Sequence, residues 1–308
     1  MKVRPKAARP KLPPWIRVKI SCGGERDRVA DVLDGLGLHT VCRSAGCPNL
    51  GECWHRGTAT FMILGGKCTR KCRFCGVEHD CRPDAPDPSE PAKVAEAVER
   101  LKLGYVVITS VTRDDLPDGG AGHFAAAVSA VRARLPCVKI EVLTPDFKGD
   151  FAAVRTVATS VPDVFNHNLE TVERLSPMIR SGADYGRSLS VLSEARRLAE
   201  GTPMLVKSGL MVGLGETDAE VERTIGDLYS AGVQMLTIGQ YLPPGPDSWP
   251  LERYVEPGVF AVWKTLAESM GFVQVASAPL VRSSYHAEQS WEASSGPEQG
   301  DDLKGGCR

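Results

Sequence analysis

Residues 60–75 read TFMILGGKCTRKCRFC. A short run of apolar and β-branched residues, Thr60–Leu64, is closed by Gly65 and Gly66, and Cys68, Cys72 and Cys75 follow in a C-x3-C-x2-C spacing. An all-apolar run of this length suits a strand buried on both faces, and the glycine pair lets the chain turn sharply out of it. A loop this compact can bend round one corner of an iron–sulfur cube and bind three of its irons through thiolates. The fourth iron is then left without a protein ligand, and an open coordination position distinguishes a catalytic metal site from a closed structural one. A zinc ribbon would want paired C-x2-C knuckles, and only Cys72 and Cys75 form one; a ferredoxin would close its cluster with a fourth cysteine, for which Cys81 is near enough.

Further apolar runs follow at Tyr105–Ser110, Val138–Leu143, Val164–His167, Met204–Val212, Gln234–Gly239 and Phe272–Ala276. Helical spacing fills the gaps. Val94, Val98 and Leu101 recur on one face, and Thr217 with Glu220 writes a capping box ahead of Val221, Ile225 and Leu228. Repeated strand–helix units imply a parallel sheet. The fold expected is α/β, a partial or complete TIM-like β/α barrel, with a doubly wound sheet as the alternative. A cysteine-bearing extension, residues 1–59, precedes the barrel at 60–280. A short C-terminal extension, 281–308, carries a motif and a Gly- and Ser-rich tail that composition predicts to be flexible.

The chain of 308 residues has 42% hydrophobic and 24% charged residues and a formal net charge of −1. Those figures suit a globular enzyme and favour neither nucleic acid nor membrane as partner, and no apolar run approaches the roughly 20 residues that span a bilayer. The amino terminus is basic (Lys2, Arg4, Lys6, Arg9, Lys11, Arg17, Lys19), with no acidic residue before Glu25. Without an apolar stretch it does not read as a secretory signal; it reads as a solvated tail or as an arm for an acidic partner. Six of the ten cysteines lie in two tight groups between Cys42 and Cys75, a pattern of metal sites in a reducing cytoplasm rather than of disulfide staples. Cys22, Cys137 and Cys307 fall outside every motif and read as plain thiols. The second group, Cys42, Cys47 and Cys53 in C-x4-C-x5-C spacing, offers three more soft ligands for zinc or for a second iron–sulfur cluster with one ligand missing.

The loop with Phe74 before its third cysteine, leaving the first strand of a β/α barrel, resembles the radical S-adenosylmethionine superfamily. The runs Cys42–Trp54 and Gly65–Cys75, with Arg282-Ser283-Ser284-Tyr285-His286-Ala287, resemble the signatures of the lipoyl synthase family, over roughly residues 35–288. The resemblance implies two 4Fe–4S clusters. The one on Cys68, Cys72 and Cys75 binds S-adenosylmethionine on its open iron and yields a 5′-deoxyadenosyl radical. The auxiliary one, on Cys42, Cys47, Cys53 and a serine, Ser284 ahead of Ser283, supplies the sulfur. It also implies that Gly119 and Gly120, otherwise a simple turn, receive the methionine amino group, that the stretch around Met211 lies beside adenine, and that Asn168 and Glu170 bind the ribose or methionyl region. Lys207 is expected to pair with the methionyl carboxylate or to make a structural salt bridge. The implied reaction is insertion of sulfur at C6 and C8 of a protein-bound octanoyl chain. Implied partners are octanoylated carrier domains (2-oxoacid dehydrogenase E2 subunits and the glycine cleavage H protein), an electron donor and a cluster-repair protein. At Gly245–Trp249 the chain departs from the loop usual in that family, which bears on how the carrier enters. A methylthiotransferase, a two-cluster electron carrier and a zinc-stabilised binding protein are the rival readings.

Overall fold

In a computed structural model the chain is described at residues 11–17, 24–56, 59–284, 287–289 and 291. Most of the basic arm, Cys22, Tyr285, His286, Cys307 and the Gly- and Ser-rich tail lie outside these residues.

The strands run β1 (His39–Thr40), β2 (Thr60–Ile63), β3 (Lys67–Cys68), β4 (Glu78–His79), β5 (Tyr105–Ser110), β6 (Lys139–Leu143), β7 (Val164–Asn166), β8 (Leu205–Val212), β9 (Met235–Gln240) and β10 (Gln274–Ser277). One sheet takes the order β1-β2-β5-β6-β7-β8-β9-β10, and β3 and β4 form a small separate ladder in the cysteine loop. From β2 to β10 every pair in the large sheet is parallel; β1 joins the edge antiparallel, His39 opposite Met62. Space order thus follows chain order without reversal. A doubly wound sheet would reverse at a switch point, so the architecture is a partial β/α barrel.

All seven apolar runs read from the sequence are strands, shifted by a residue or two at their ends. Helices Glu90–Leu101, Ala121–Arg134, Tyr185–Leu198 and Asp218–Ser230 cover the outer face, burying Val94, Val98, Phe124, Val128, Val191 and Ile225 against the sheet. The capping box at Thr217 is complete: its hydroxyl accepts from Glu220 N–H, and the Glu220 carboxylate accepts from Thr217 N–H at 2.8 Å. A second apolar group of Tyr105, Val107, Val164, Met235, Ala287 and Trp291 lies inside the barrel. The end of the described chain is therefore packed within the sheet's curve.

Cys137 departs from its reading as a plain thiol. It is disulfide-bonded. It stands exposed on the loop entering β6, where another stretch of chain can reach it.

Candidate active site

The carboxyl ends of the strands open onto a cavity of ≈ 650 Å³, the end where β/α barrels build their sites. Cys42, Cys47 and Cys53 line it, as do Cys68, Cys72 and Cys75, and Arg282, Ser283 and Ser284 complete the wall. All six cysteines are free thiols.

The C-x3-C-x2-C loop is fixed from several sides. Its entry passes through Leu64 with φ 69°, a left-handed conformation costly for a residue with a branched side chain. The Glu90 carboxylate holds it by accepting from Leu64 N–H at 2.7 Å, and the Arg113 guanidinium donates to Leu64 O at 3.3 Å. Within the loop the Arg70 side chain turns into the barrel, only 6% exposed. It grips Asp114 through Nε (2.7 Å) and Nη2 (2.9 Å), and Asp146 at 2.7 Å. Arg187 holds the other oxygen of Asp146 at 3.0 Å. Burial works to raise the Asp146 carboxyl, but the hydrogen bond and charge of Arg70 outweigh it and hold the group at about 2. Cys68 Sγ accepts N–H groups from Arg70 (3.4 Å) and Thr112 (3.3 Å), which fix its position in the loop. The loop's far end is tied by Arg73 N–H to Ile179 O (2.8 Å) and by the Arg73 guanidinium over the Trp249 ring at 4.3 Å.

The second triad sits on two short helices of the extension. Thr40 caps Val41–Ser44, accepting from Cys42 N–H at 3.2 Å and donating to Thr60 O at 2.8 Å, so the cap also fastens the helix to β2. Asn49 Nδ2 donates to Leu280 O at 2.8 Å, joining the extension to the carboxy-terminal segment. The two cysteine loops touch at Gly76, where a Cβ would lie 3.0 Å from both Ser44 O and Pro244 Cβ.

Burial pushes the Cys47 and Cys72 thiols up, and Cys53 and Cys75 up to about 12. Such thiols become thiolates only beside a cation, which is the environment an iron centre provides. Among the described residues no three His, Cys, Asp or Glu side chains converge on one ion-sized point. Ligands of a cubane, each bonding its own iron, need not converge in that way. The donor set therefore fits iron–sulfur clusters.

Of the other residues singled out from the sequence, Phe74, Asn168, Glu170 and Met211 line the cavity. Glu170 has φ 67°, a strained backbone at a site that positions it, and burial raises its carboxyl against the pull of Arg180 and Asn168. Gly119 and Gly120 are not among the residues that line it. They form the turn into Ala121–Arg134, where Asp118 accepts from Gly120 N–H (2.9 Å) and Gly122 N–H (2.8 Å). Of the two roles open to Lys207, it takes the structural salt bridge. Its ammonium is buried on the Glu141 carboxylate (3.0 and 2.9 Å), so its charge is already neutralised.

Buried Arg180, which carries no motif in the sequence, lines the same cavity. It donates to Ser188 Oγ (3.0 Å) and Asn168 O (3.4 Å), and makes no ion pair among the described residues. His167 donates from Nδ1 to Thr144 O at 2.9 Å, which leaves Nε2 an acceptor without a partner. Burial holds its imidazole down at about 4, so it is neutral. Of the two serines, Ser283 Oγ is engaged with Asn168, 2.6 Å from Nδ2 and 2.9 Å from Oδ1. Ser284 makes no hydrogen bond among the described residues.

A partial barrel with a three-cysteine loop at the exit of its first parallel strand defines a radical S-adenosylmethionine protein, and the model of that superfamily matches residues 62–228. The N-terminal domain of lipoyl synthase matches residues 1–47. The lipoyl synthase of Methylococcus capsulatus is 54% identical over 290 residues, 94% of this chain and 89% of that protein. That of Rubrobacter xylanophilus is 52% identical over 280 residues, covering 91% and 86%. The chain belongs to the lipoyl synthase family. Among solved structures, methylornithine synthase (PylB) superposes with a TM-score of 0.51 at 16% identity, covering 82% of this chain and 78% of that one. The hydrogenase maturase HydG gives 0.54 at 12%, covering 68% and 48%. Both likenesses speak to the fold alone.

Proposed function

We propose that this chain inserts two sulfur atoms, at C6 and C8, into an octanoyl group carried on a protein lysine, and that the observation carrying this reading is the shared cavity. Both cysteine triads and Ser284 face one chamber, so a carbon activated at one triad lies beside sulfur held at the other. Cys68, Cys72 and Cys75 would hold a 4Fe–4S cluster open to S-adenosylmethionine, which together supply hydrogen abstraction from unactivated carbon. Cys42, Cys47, Cys53 and Ser284 would hold the second cluster, whose sulfide is consumed as a substrate. A serine oxygen is a harder ligand than thiolate and is released more readily as the cube is dismantled.

The protein's own work is orientation. Arg180, a buried cation that makes no ion pair among the described residues, is suited to the methionyl carboxylate of S-adenosylmethionine. Asn168 and Glu170 offer acceptors and a donor for the ribose, and the neutral His167 Nε2 adds an acceptor. Met211 and Phe74 supply apolar wall beside them, and Met62, Val107 and Val111 line the chamber where an alkyl chain would lie. The carriers would be octanoylated E2 and H-protein domains. An electron donor and a cluster-repair protein complete the partners in a cytoplasmic setting, with the basic arm a docking element for an acidic carrier. Among the described residues no helix is long and apolar enough to cross a membrane.

The test is anaerobic reconstitution followed by a single turnover with dithionite, S-adenosylmethionine and an octanoyl-lysine peptide, read by mass spectrometry. A dithiolated peptide with two 5′-deoxyadenosines per product supports the reading. Cleavage of S-adenosylmethionine without thiolation keeps the superfamily and discards the substrate.

A further inference from the structure

Four successive strands each send one polar side chain to a common level inside the barrel: Tyr105 from β5, Glu141 from β6, Asn166 from β7 and Lys207 from β8. The Glu141 carboxylate accepts from Tyr105 OH (2.6 Å), from Asn166 Nδ2 (2.8 Å) and from Lys207 Nζ at both oxygens. Lys207 is 1% exposed and Glu141 0%. With two of its protons on Glu141, Lys207 turns the third outward from the pair, to the Ser283 main-chain carbonyl at 2.7 Å.

The chain around that carbonyl lies inside the barrel. Gly239 admits it: a Cβ there would stand 2.1 Å from Val281 O. Ser283 Oγ meets Asn168, and further along Ala287 and Trp291 pack among Tyr105, Val107, Val164 and Met235. The Trp291 ring is capped by Lys139 Nζ at 4.4 Å. A buried ion pair is a weak device for stability alone, since well-packed apolar side chains commonly do as well. This one does something an apolar layer cannot. It offers a charged donor to a main-chain carbonyl, in a segment that has no strand partner of its own.

We propose that Lys207, held in place by Glu141, is a positioning residue that anchors the carboxy-terminal segment inside the barrel and so presents Ser284 to Cys42, Cys47 and Cys53, whether or not a cluster is bound there. The second half of this inference rests on the reading of Ser284 as a cluster ligand. Its consequence is that the emptied site keeps its shape: once the sulfur-donating cluster has been consumed, the serine remains where a new cluster must find it.

The test is amide hydrogen exchange on the full chain without clusters, comparing wild type with the double variant Lys207→Met/Glu141→Leu. That variant removes both charges together and leaves neither buried alone. In wild type, residues 281–284 and 287–289 are expected to be protected without any cluster. In the double variant they should exchange at least ~10-fold faster while β5 to β8 keep their protection. Lys207→Gln, which retains a donor, should restore part of the protection. After reconstitution, Mössbauer spectra of the double variant should show the cluster on the N-terminal triad altered and the other unchanged. Unchanged protection in the folded double variant overturns the anchor and leaves the ligand assignment of Ser284 standing. So does an unprotected segment in cluster-free wild type, a measurement that needs no variant to fold. A loosened segment with both clusters spectrally unchanged overturns the presentation of Ser284 by Lys207 and leaves the ligand assignment itself to the Ser284→Ala variant.

Discussion

Replacing Arg70 by methionine removes the central cation of the cysteine loop while filling much of the same space. Asp146, 1% exposed, would then keep Arg187 as its one paired cation beside the Lys148 N–H, and Asp114 would lose both contacts to the guanidinium. Breaking a buried pair by deleting one partner costs about 3–5 kcal/mol, because the remaining charge is left under-compensated. The pH dependence offers an independent measure. The Asp146 carboxyl is held at about 2 in the fold against an ordinary 3.8, so it is a depressed acid. It contributes stability that is fully present above pH ~4 and is lost as pH falls through ~2, worth about 2 kcal/mol by proton linkage. Urea melts of the cluster-free chain at pH 7 should show the variant destabilised by about 3–5 kcal/mol. A pH series from 5 down to 2 should show a shallower decline for the variant than for wild type. A loss under about 1 kcal/mol at pH 7, the range of an exposed ion pair, would refute the claim that Arg70 anchors the loop from inside the barrel.

Other perturbations separate the roles assigned above. Ser284→Ala should leave the cluster of Cys42, Cys47 and Cys53 on three thiolates, altering its Mössbauer spectrum and costing it about one iron at most while S-adenosylmethionine cleavage persists; a full complement of iron with native spectra would remove Ser284 from the ligand set. Arg180→Met should weaken S-adenosylmethionine binding by about 10- to 100-fold, the loss of a buried charge-assisted bond, as read by equilibrium dialysis. Unchanged binding would return Arg180 to a purely structural role. Gly239→Ala places a Cβ against Val281 O and should lower the melting temperature by several degrees, by calorimetry.

The strands were legible because each is a Val- and Ile-rich run buried on both faces, and the cysteine loops because thiols at such spacing have few other uses. Whether the sheet closes toward a barrel or reverses was not legible, since strand order is a property of packing rather than of any one run. Lys207 carries the sharper lesson. A lone lysine within an apolar strand can reach a ligand or close a structural salt bridge, and the run itself does not say which. Three strands carry single polar or acidic residues at matching depth, Tyr105, Glu141 and Asn166, and a charge in a low-dielectric interior pairs with what is already there. Gly119 and Gly120 form the simple turn that Asp118, two residues before Gly120, signals by accepting from Gly120 N–H. Arg180 had no signal at all. The short helix Ser176–Ile179 aims it, and nothing in its neighbourhood announces a site.

The account turns on sulfur crossing one chamber from the Cys42, Cys47 and Cys53 site to the substrate chain. Reconstitution with 34S-sulfide, gel filtration to remove free sulfide, and a single turnover with unlabelled S-adenosylmethionine and octanoyl-lysine peptide tests it directly. The account predicts two 34S atoms in each product molecule, and loss of the product when Cys42, Cys47 and Cys53 are replaced by alanine. Unlabelled sulfur in the product, or labelled product from the triple alanine variant, would contradict it.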